Sequence, residues 1–201
     1  MANRKGRPNM DQQKAYGKAF DHLNKRLFKG ALSTPMLVLS RNKNLTTGVF
    51  NPEKWIDDTG NQLHEIILSA GITNLKDFYM AMVHQMLHQW QNDHGAPSEN
   101  GYHNKEWTSK AVEIGLKVKG YGYKIDTIVK RNGAFDKALK SMPEDASFPL
   151  IVEKKRPTKK EKLSTSGKRV KYECPECLSR VWGKAGINIQ CIDCLQRFIE
   201  V

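Results

Sequence analysis

Val83-His84-Gln85-Met86-Leu87-His88-Gln89-Trp90 carries two histidines four residues apart. At about 100° per residue an α-helix stacks such positions one turn above each other on one face. His84 and His88 can therefore aim both imidazoles at one point, as the first two ligands of a tetrahedral metal ion must. Tyr79, Met82, Val83, Met86, Leu87 and Trp90 form one broad apolar arc, and the histidines fall outside it beside small Ala81. The expected helix, capped by Asn74 and running to about residue 91, buries that arc and presents the histidine pair to a cleft.

A pair at this spacing is common on ordinary half-exposed helices, so a third ligand decides its meaning. Two histidines follow, His94 and His103. His94 has the spacing of the metzincin pattern, but that pattern needs Gly at the position Gln91 occupies here. His103 follows a polar loop (residues 92–102) and opens the next expected helix (residues 104–118), one turn before Trp107. A loop that returns a ligand to the first helix closes a site well, and we take His103 as the third ligand. Glu106, one turn beyond, is expected to orient a ligand histidine.

Working outward, residues 9–28 place Tyr16, Phe20, Leu23 and Leu27 at helical spacing, with a stop near Gly30. Residues 36–39, 47–55 and 64–69 read as strands between Asn, Asp and Gly punctuation. On the third expected helix Trp107, Ala111, Ile114 and Leu116 form the buried side. A strand at 123–129 and a short helix at 134–141 complete this part.

The cysteines fall as Cys174-Pro-Glu-Cys177 and Cys191-Ile-Asp-Cys194, thirteen residues apart, with none left over. Two CxxC knuckles at that separation specify a four-cysteine zinc ribbon rather than disulfides, and a reducing compartment. Short strands are expected at 170–173, 179–183, 188–190 and 197–201. So small a module cannot bury enough core alone, so its metal supplies the folding free energy.

Charge points to a polyanionic partner. The 201 residues carry 33 Lys and Arg against 21 Asp and Glu, a net +12. Residues 154–171 hold nine basic residues and one acidic, a net +8 in one polar arm. Within the ribbon Arg180, Trp182 and Lys184 alternate, and on a strand alternate side chains share a face. An indole between two cations suits a stacked base with flanking phosphates. The expected partner is DNA without sequence preference, contacted by Arg180, Trp182, Lys184, Lys154, Lys155, Arg156, Lys159, Lys160, Lys168 and Arg169. No run approaches the ~18 apolar residues of a membrane helix. The basic amino terminus lacks an apolar signal core, so the expected location is cytoplasmic and DNA-associated, with no membrane partner and no secretion.

The segment from His84 to Trp107 resembles the SprT-like zinc metallopeptidases, the Spartan-related family. These carry H-E-M-x-H on a helix and a third His in an H-x-x-E-[FW] turn, here His103-Asn104-Lys105-Glu106-Trp107. Phe20-Asp21-His22-Leu23-Asn24-Lys25-Arg26-Leu27-Phe28, Glu65-Ile66-Ile67-Leu68-Ser69 and the cysteine module resemble the family too. The resemblance implies an α+β fold: a zincin-like (minigluzincin-type) domain with a small C-terminal zinc ribbon. It divides the chain into a basic tail (1–8), a SprT-like domain (9–152), a basic linker (153–169) and the ribbon (170–201). It implies two Zn2+ sites, one of His84, His88 and His103 plus water and one of Cys174, Cys177, Cys191 and Cys194. It also implies proteolysis of proteins trapped on DNA.

One position departs from the family pattern. The general-base Glu is Gln85 here, nearly isosteric but without a basic lone pair near neutral pH. The expectation is an intact metal site with severely impaired catalysis, or a non-catalytic DNA-binding pseudo-peptidase. A regulatory zinc protein whose arm contacts RNA is a weaker third reading.

Overall fold

The computed structural model describes residues 7–42, 44–146 and 169–201. The chain divides into two units, Met1–Glu153 and Lys154–Val201. Together they are a mixed α+β structure, with four α-helices and small sheets among the described residues. No helix among the described residues is long and apolar enough to cross a membrane.

The first unit opens with helix α1, Pro8–Leu27, whose proline sits at its start where no amide hydrogen is needed. Its stripe of Tyr16, Ala19, Phe20, Leu23 and Leu27 is buried. Asn24 clamps the chain beyond the helix: its Nδ2 donates to Leu32 O (2.8 Å) and its Oδ1 accepts from Leu32 N (3.2 Å). Strands β1 (Met36–Ser40), β2 (Gly48–Ile56) and β3 (Gln62–Ser69) form a sheet of order β1-β3-β2. β1 runs parallel to β3, Leu37 opposite Ile66, and β2 antiparallel, Phe50 opposite Ile66. β2 is thus an edge. Its register shifts between Asn51 and Trp55, where buried Glu65 accepts from Asn51 Nδ2 (2.7 Å) and Trp55 Nε1 (2.9 Å). That carboxylate pins the bulge.

Helix α2, Leu75–His94, packs on β2 and β3. Asn74 caps it, its side chain accepting from Asp77 N at 2.9 Å. The helix runs three residues past the expected end, to the Gly95 amide that donates to Gln91 O. Met82, Val83, Met86 and Leu87 are fully buried, each contributing on the order of 1.5–3 kcal/mol. Trp90 is half-buried, under the Lys110 ammonium at 4.7 Å.

Helix α3, Lys105–Glu113, is shorter than the 104–118 expected. Ile114 and Leu116 are buried as anticipated, but Leu116 opens strand β4, Leu116–Tyr121. Gly115 makes the break. Its φ is +92°, and a Cβ there would meet Ala134 N at 2.7 Å. Its carbonyl accepts from Lys130 N and that of Ile114 from Phe135 N, tying strand β5 (Lys124–Val129) and helix α4 (Ala134–Lys140) to the same corner. Helical periodicity continued through 114 and 116 because both residues face the core from either side of this turn. β4 and β5 form a two-stranded antiparallel hairpin.

In the second unit β6 (Val170–Glu173) lies between β7 (Arg180–Gly183) and β8 (Ile199–Glu200). The strand expected at 188–190 is only a bridge from Gln190 to Arg197, and that at 197–201 shrinks to β8. Each knuckle turns left-handed straight after its second cysteine, at Leu178 (φ 60°) and Leu195 (φ 55°).

Gly115→Ala should lower unfolding free energy by about 1–3 kcal/mol, measured by urea denaturation. Gly30→Ala, also at positive φ (+75°) but facing open space, should cost less; equal losses would refute the crowding at Gly115.

Candidate functional site

α2 and the loop before α3 bring His84, His88 and His103 together. His103 Nε2 lies 2.9 Å from His84 Nε2 and 3.2 Å from His88 Nε2. Tetrahedral zinc with Zn–N bonds of ~2.0–2.1 Å places its nitrogens about 3.3 Å apart, so the donor set fits such an ion. The tautomer fits as well. His103 Nδ1 can only donate to the Gly122 carbonyl it touches, so the neutral ring turns the Nε2 lone pair to the cluster. The same carbonyl accepts from His103 N at 3.2 Å. Beneath the rings lies the fully buried Trp107 indole, its centroid 4.3, 5.0 and 5.6 Å from those of His103, His84 and His88. Asn104, the cap of α3, accepts from Trp107 N (3.0 Å) and Gln91 Nε2 (2.6 Å), fixing the loop to α2.

The rings stay neutral, the ligating form. Burial pushes His84 down to about 3, helped by the neighbouring His88 and His103. Burial and His103 push His88 down to about 4. Burial also lowers His103, opposed by the Gly122 carbonyl.

The histidines floor an open cleft of about 990 Å3. Gly48, Val49 and Phe50 of the β2 edge line one part, and Tyr123, Ile125, Asp126 and Thr127 of the hairpin line another. Gln85 lines it too, buried to 3 % exposure. A Cβ on Gly48 would lie 2.6 Å from Ile67 O and 3.2 Å from Gln85 Cγ. The edge strand therefore passes over Gln85 with no side chain between.

Asp77 and Asp126 also line the cleft, whereas Glu106 and Asp93 have other partners. Glu106 does not orient a histidine: its Oε2 accepts from Gln91 Nε2 and Ala96 N, both at 2.8 Å, because the loop after α2 needs its amides satisfied. Those bonds hold its carboxyl below the ordinary value. Asp93 pairs with His64 at 3.1 Å, and His94 turns away to Ala31 O at 3.1 Å. The Gly122 carbonyl and the close approach at Gly48 were absent from the sequence reading; the Gly120-Tyr-Gly-Tyr123 run was the available signal for the first.

The four cysteines also converge, their sulfurs within 4.8 Å of one another. Cys177 Sγ and Cys191 Sγ are 3.7 Å apart. A disulfide needs ~2.05 Å, whereas a tetrahedral zinc tetrathiolate with ~2.3 Å bonds needs about 3.8 Å. Ser179, by its hydroxyl and then its amide, lowers Cys177 to about 6. Cys194, hydrogen-bonded to Cys177 and desolvated, is pushed up to about 12. Sulfurs so close cannot all ionise without a cation among them. A three-histidine group and a four-cysteine cluster, each able to hold a metal ion such as zinc, are thus present among the described residues.

Four of the ten residues expected to contact nucleic acid fall among the described residues. Trp182 is 66 % exposed, as are Arg180, Lys184 and Arg169 to varying degree. Arg180 pairs with Glu173 across the strands, and Lys184 lies just past the end of β7. Lys154, Lys155, Arg156, Lys159, Lys160 and Lys168 lie outside the described residues. Compared with family models, curated proteins and solved structures, the chain matches none.

Replacing His84, His88 or His103 by Ala should drop bound zinc from two ions per chain to one by elemental analysis, leaving the ion among the four cysteines. Two ions retained by all three variants would refute the histidine site. Metal-free chain should lose stability as pH falls from 6.5 towards about 3, because His84 and His88 protonate in the unfolded chain but not in the folded one. A urea midpoint that stays flat across that window would contradict the neutral rings.

Proposed function

We propose that the Met1–Glu153 unit is a zincin-like peptidase scaffold of the SprT-like kind, acting on proteins bound to DNA, with its proton acceptor replaced in this chain. One observation carries the reading: three Nε2 atoms meet on the floor of an open cleft with Gln85 beside them, under an edge strand.

Zinc held by the three rings would supply Lewis acidity towards a peptide carbonyl and lower the pKa of water there. The chain's own groups do the rest. The Gly122 carbonyl keeps the His103 ring aimed. β2 offers unpaired backbone groups at Gly48–Phe50, to which an extended peptide can add as a further strand. β5 is likewise the free edge of its two-stranded sheet, so the cleft is bordered by two strand edges. The Gln85 amide can hydrogen-bond water, but it cannot take up the proton that attack on a carbonyl releases.

The DNA half of the reading rests on charge and the ribbon. Net +12 favours a polyanion, and an indole 66 % exposed beside Lys184 suits stacking on an unpaired base. A second reading, a DNA-binding pseudo-peptidase, is favoured by Gln85 itself. In that case the cleft binds protein without cutting it.

Gln85→Glu should raise cleavage of a protein crosslinked to single-stranded DNA by about 10²–10⁴-fold, abolished by chelator. No gain, with both metals bound and DNA binding intact, would overturn the peptidase reading in favour of the second.

A further inference from the structure

We infer that the β4–β5 hairpin is a single-stranded nucleic-acid subsite on the histidine unit itself, separate from the ribbon and sharing a wall with the metal cleft. The inference rests on the nucleic-acid half of the proposed function, not on proteolysis.

The hairpin has two unlike faces. Leu116, Val118, Ile125 and Val129 pack on the core. On the other face Lys117 stands opposite Ile128 and Lys119 opposite Asp126, with Lys124 nearer the turn, and all five are exposed. Alternation fixes this division, since opposite residues of an antiparallel pair share a face. Lys117, Lys119 and Lys124 have no ion pair among the described residues, although Asp126 lies directly across from Lys119. Lys130 and Arg131, also exposed, continue the positive charge past the end of β5. Arg131 is partly balanced by Asp136 of α4, so the excess rests on Lys117, Lys119 and Lys124 against Asp126, a net positive face that suits an anion.

Aromatic surface sits at the same end. Tyr123 is 65 % exposed and Tyr102 37 %, their rings in edge contact at 5.3 Å. Exposed rings beside free lysines suit bases stacked next to phosphates. An acidic peptide would use the charge but not the flat rings. A shallow groove beyond Tyr102 is lined by Lys105, Thr108, Ser109, Val112 and Gly120. Its hydroxyls and lysine can serve a base edge or phosphate, and its apolar part a sugar or base face.

The groove and the metal cleft have His103 in common, and Tyr123 lines the cleft while touching Tyr102 on the groove. Between them lies Gly122, whose carbonyl holds His103. Nucleic acid on the lysine face would run along the outer side of the hairpin whose inner residues Ile125 and Thr127 line the metal cleft, and the Tyr123 turn would be where the two meet.

The test is binding of a fluorescent oligothymidylate to the full zinc-loaded chain across a salt series. Three variants are compared: Lys117→Gln/Lys119→Gln/Lys124→Gln, Tyr123→Ala, and the ribbon pair Trp182→Ala/Lys184→Gln. The triple variant should weaken binding by at least roughly tenfold at low salt and flatten log K against log salt by about 2, as loss of three phosphate contacts requires. Tyr123→Ala should weaken it roughly five- to hundredfold with the slope unchanged. An unchanged slope in the triple variant, at native thermal midpoint, overturns the inference, as does competition by polyglutamate equal to that by oligothymidylate. Loss confined to the ribbon pair also overturns it, while leaving the proposed DNA partner in place. Failure of Gln85→Glu to cleave would not touch this result, because cleavage is read in a separate assay.

Discussion

Three imidazole nitrogens, with His103 Nε2 2.9 and 3.2 Å from those of His84 and His88, are the constraint around which the first unit is built. Uncompensated, such nitrogens gain little from each other and lose their hydration, and a cation between them converts that cost into binding energy. The cluster is held open to ligation by the Gly122 carbonyl, which fixes one tautomer, and by an indole that excludes water from below. Trp107 Nε1 is itself buried without a partner among the described residues. Such an orphan costs about 1–3 kcal/mol, tolerated where the ring touches all three histidines.

The polar groups around α2 serve the same end. Gln91, Asn104 and Glu106 knit the returning loop to the helix, so His103 is placed by hydrogen bonds rather than by sequence proximity. Gln89, fully buried, donates to Ser33 O at 2.8 Å and docks the segment after α1 on the same helix. On the far side Glu65 holds the β2 bulge and bare Gly48 lets the edge lie close over Gln85. The cleft is therefore bordered by backbone edges and floored by rings, with Gln85 lining it under the bare Gly48.

Local patterns carried most of this. The i,i+4 histidines, the Asn74 cap and the CxxC pairs each act through neighbours a turn or a few residues away, so spacing alone reveals them. The third histidine of the group was legible because His103 precedes Trp107 at helical distance. What escaped was long-range or conformational. The end of α3 at Gly115 depends on a backbone contact with Ala134, which periodicity through Ile114 and Leu116 conceals. Glu106 was expected near the metal, yet its nearest unsatisfied donors are amides of the preceding loop. Arg180 read as a free cation, but its cross-strand neighbour is Glu173.

The most direct test is diffraction from zinc-soaked crystals at the zinc absorption edge. The account predicts an anomalous peak about 2.0–2.1 Å from each Nε2 of His84, His88 and His103, alongside one among the cysteines. A peak at the cysteines alone, with the three rings hydrogen-bonded to one another at saturating zinc, would contradict it.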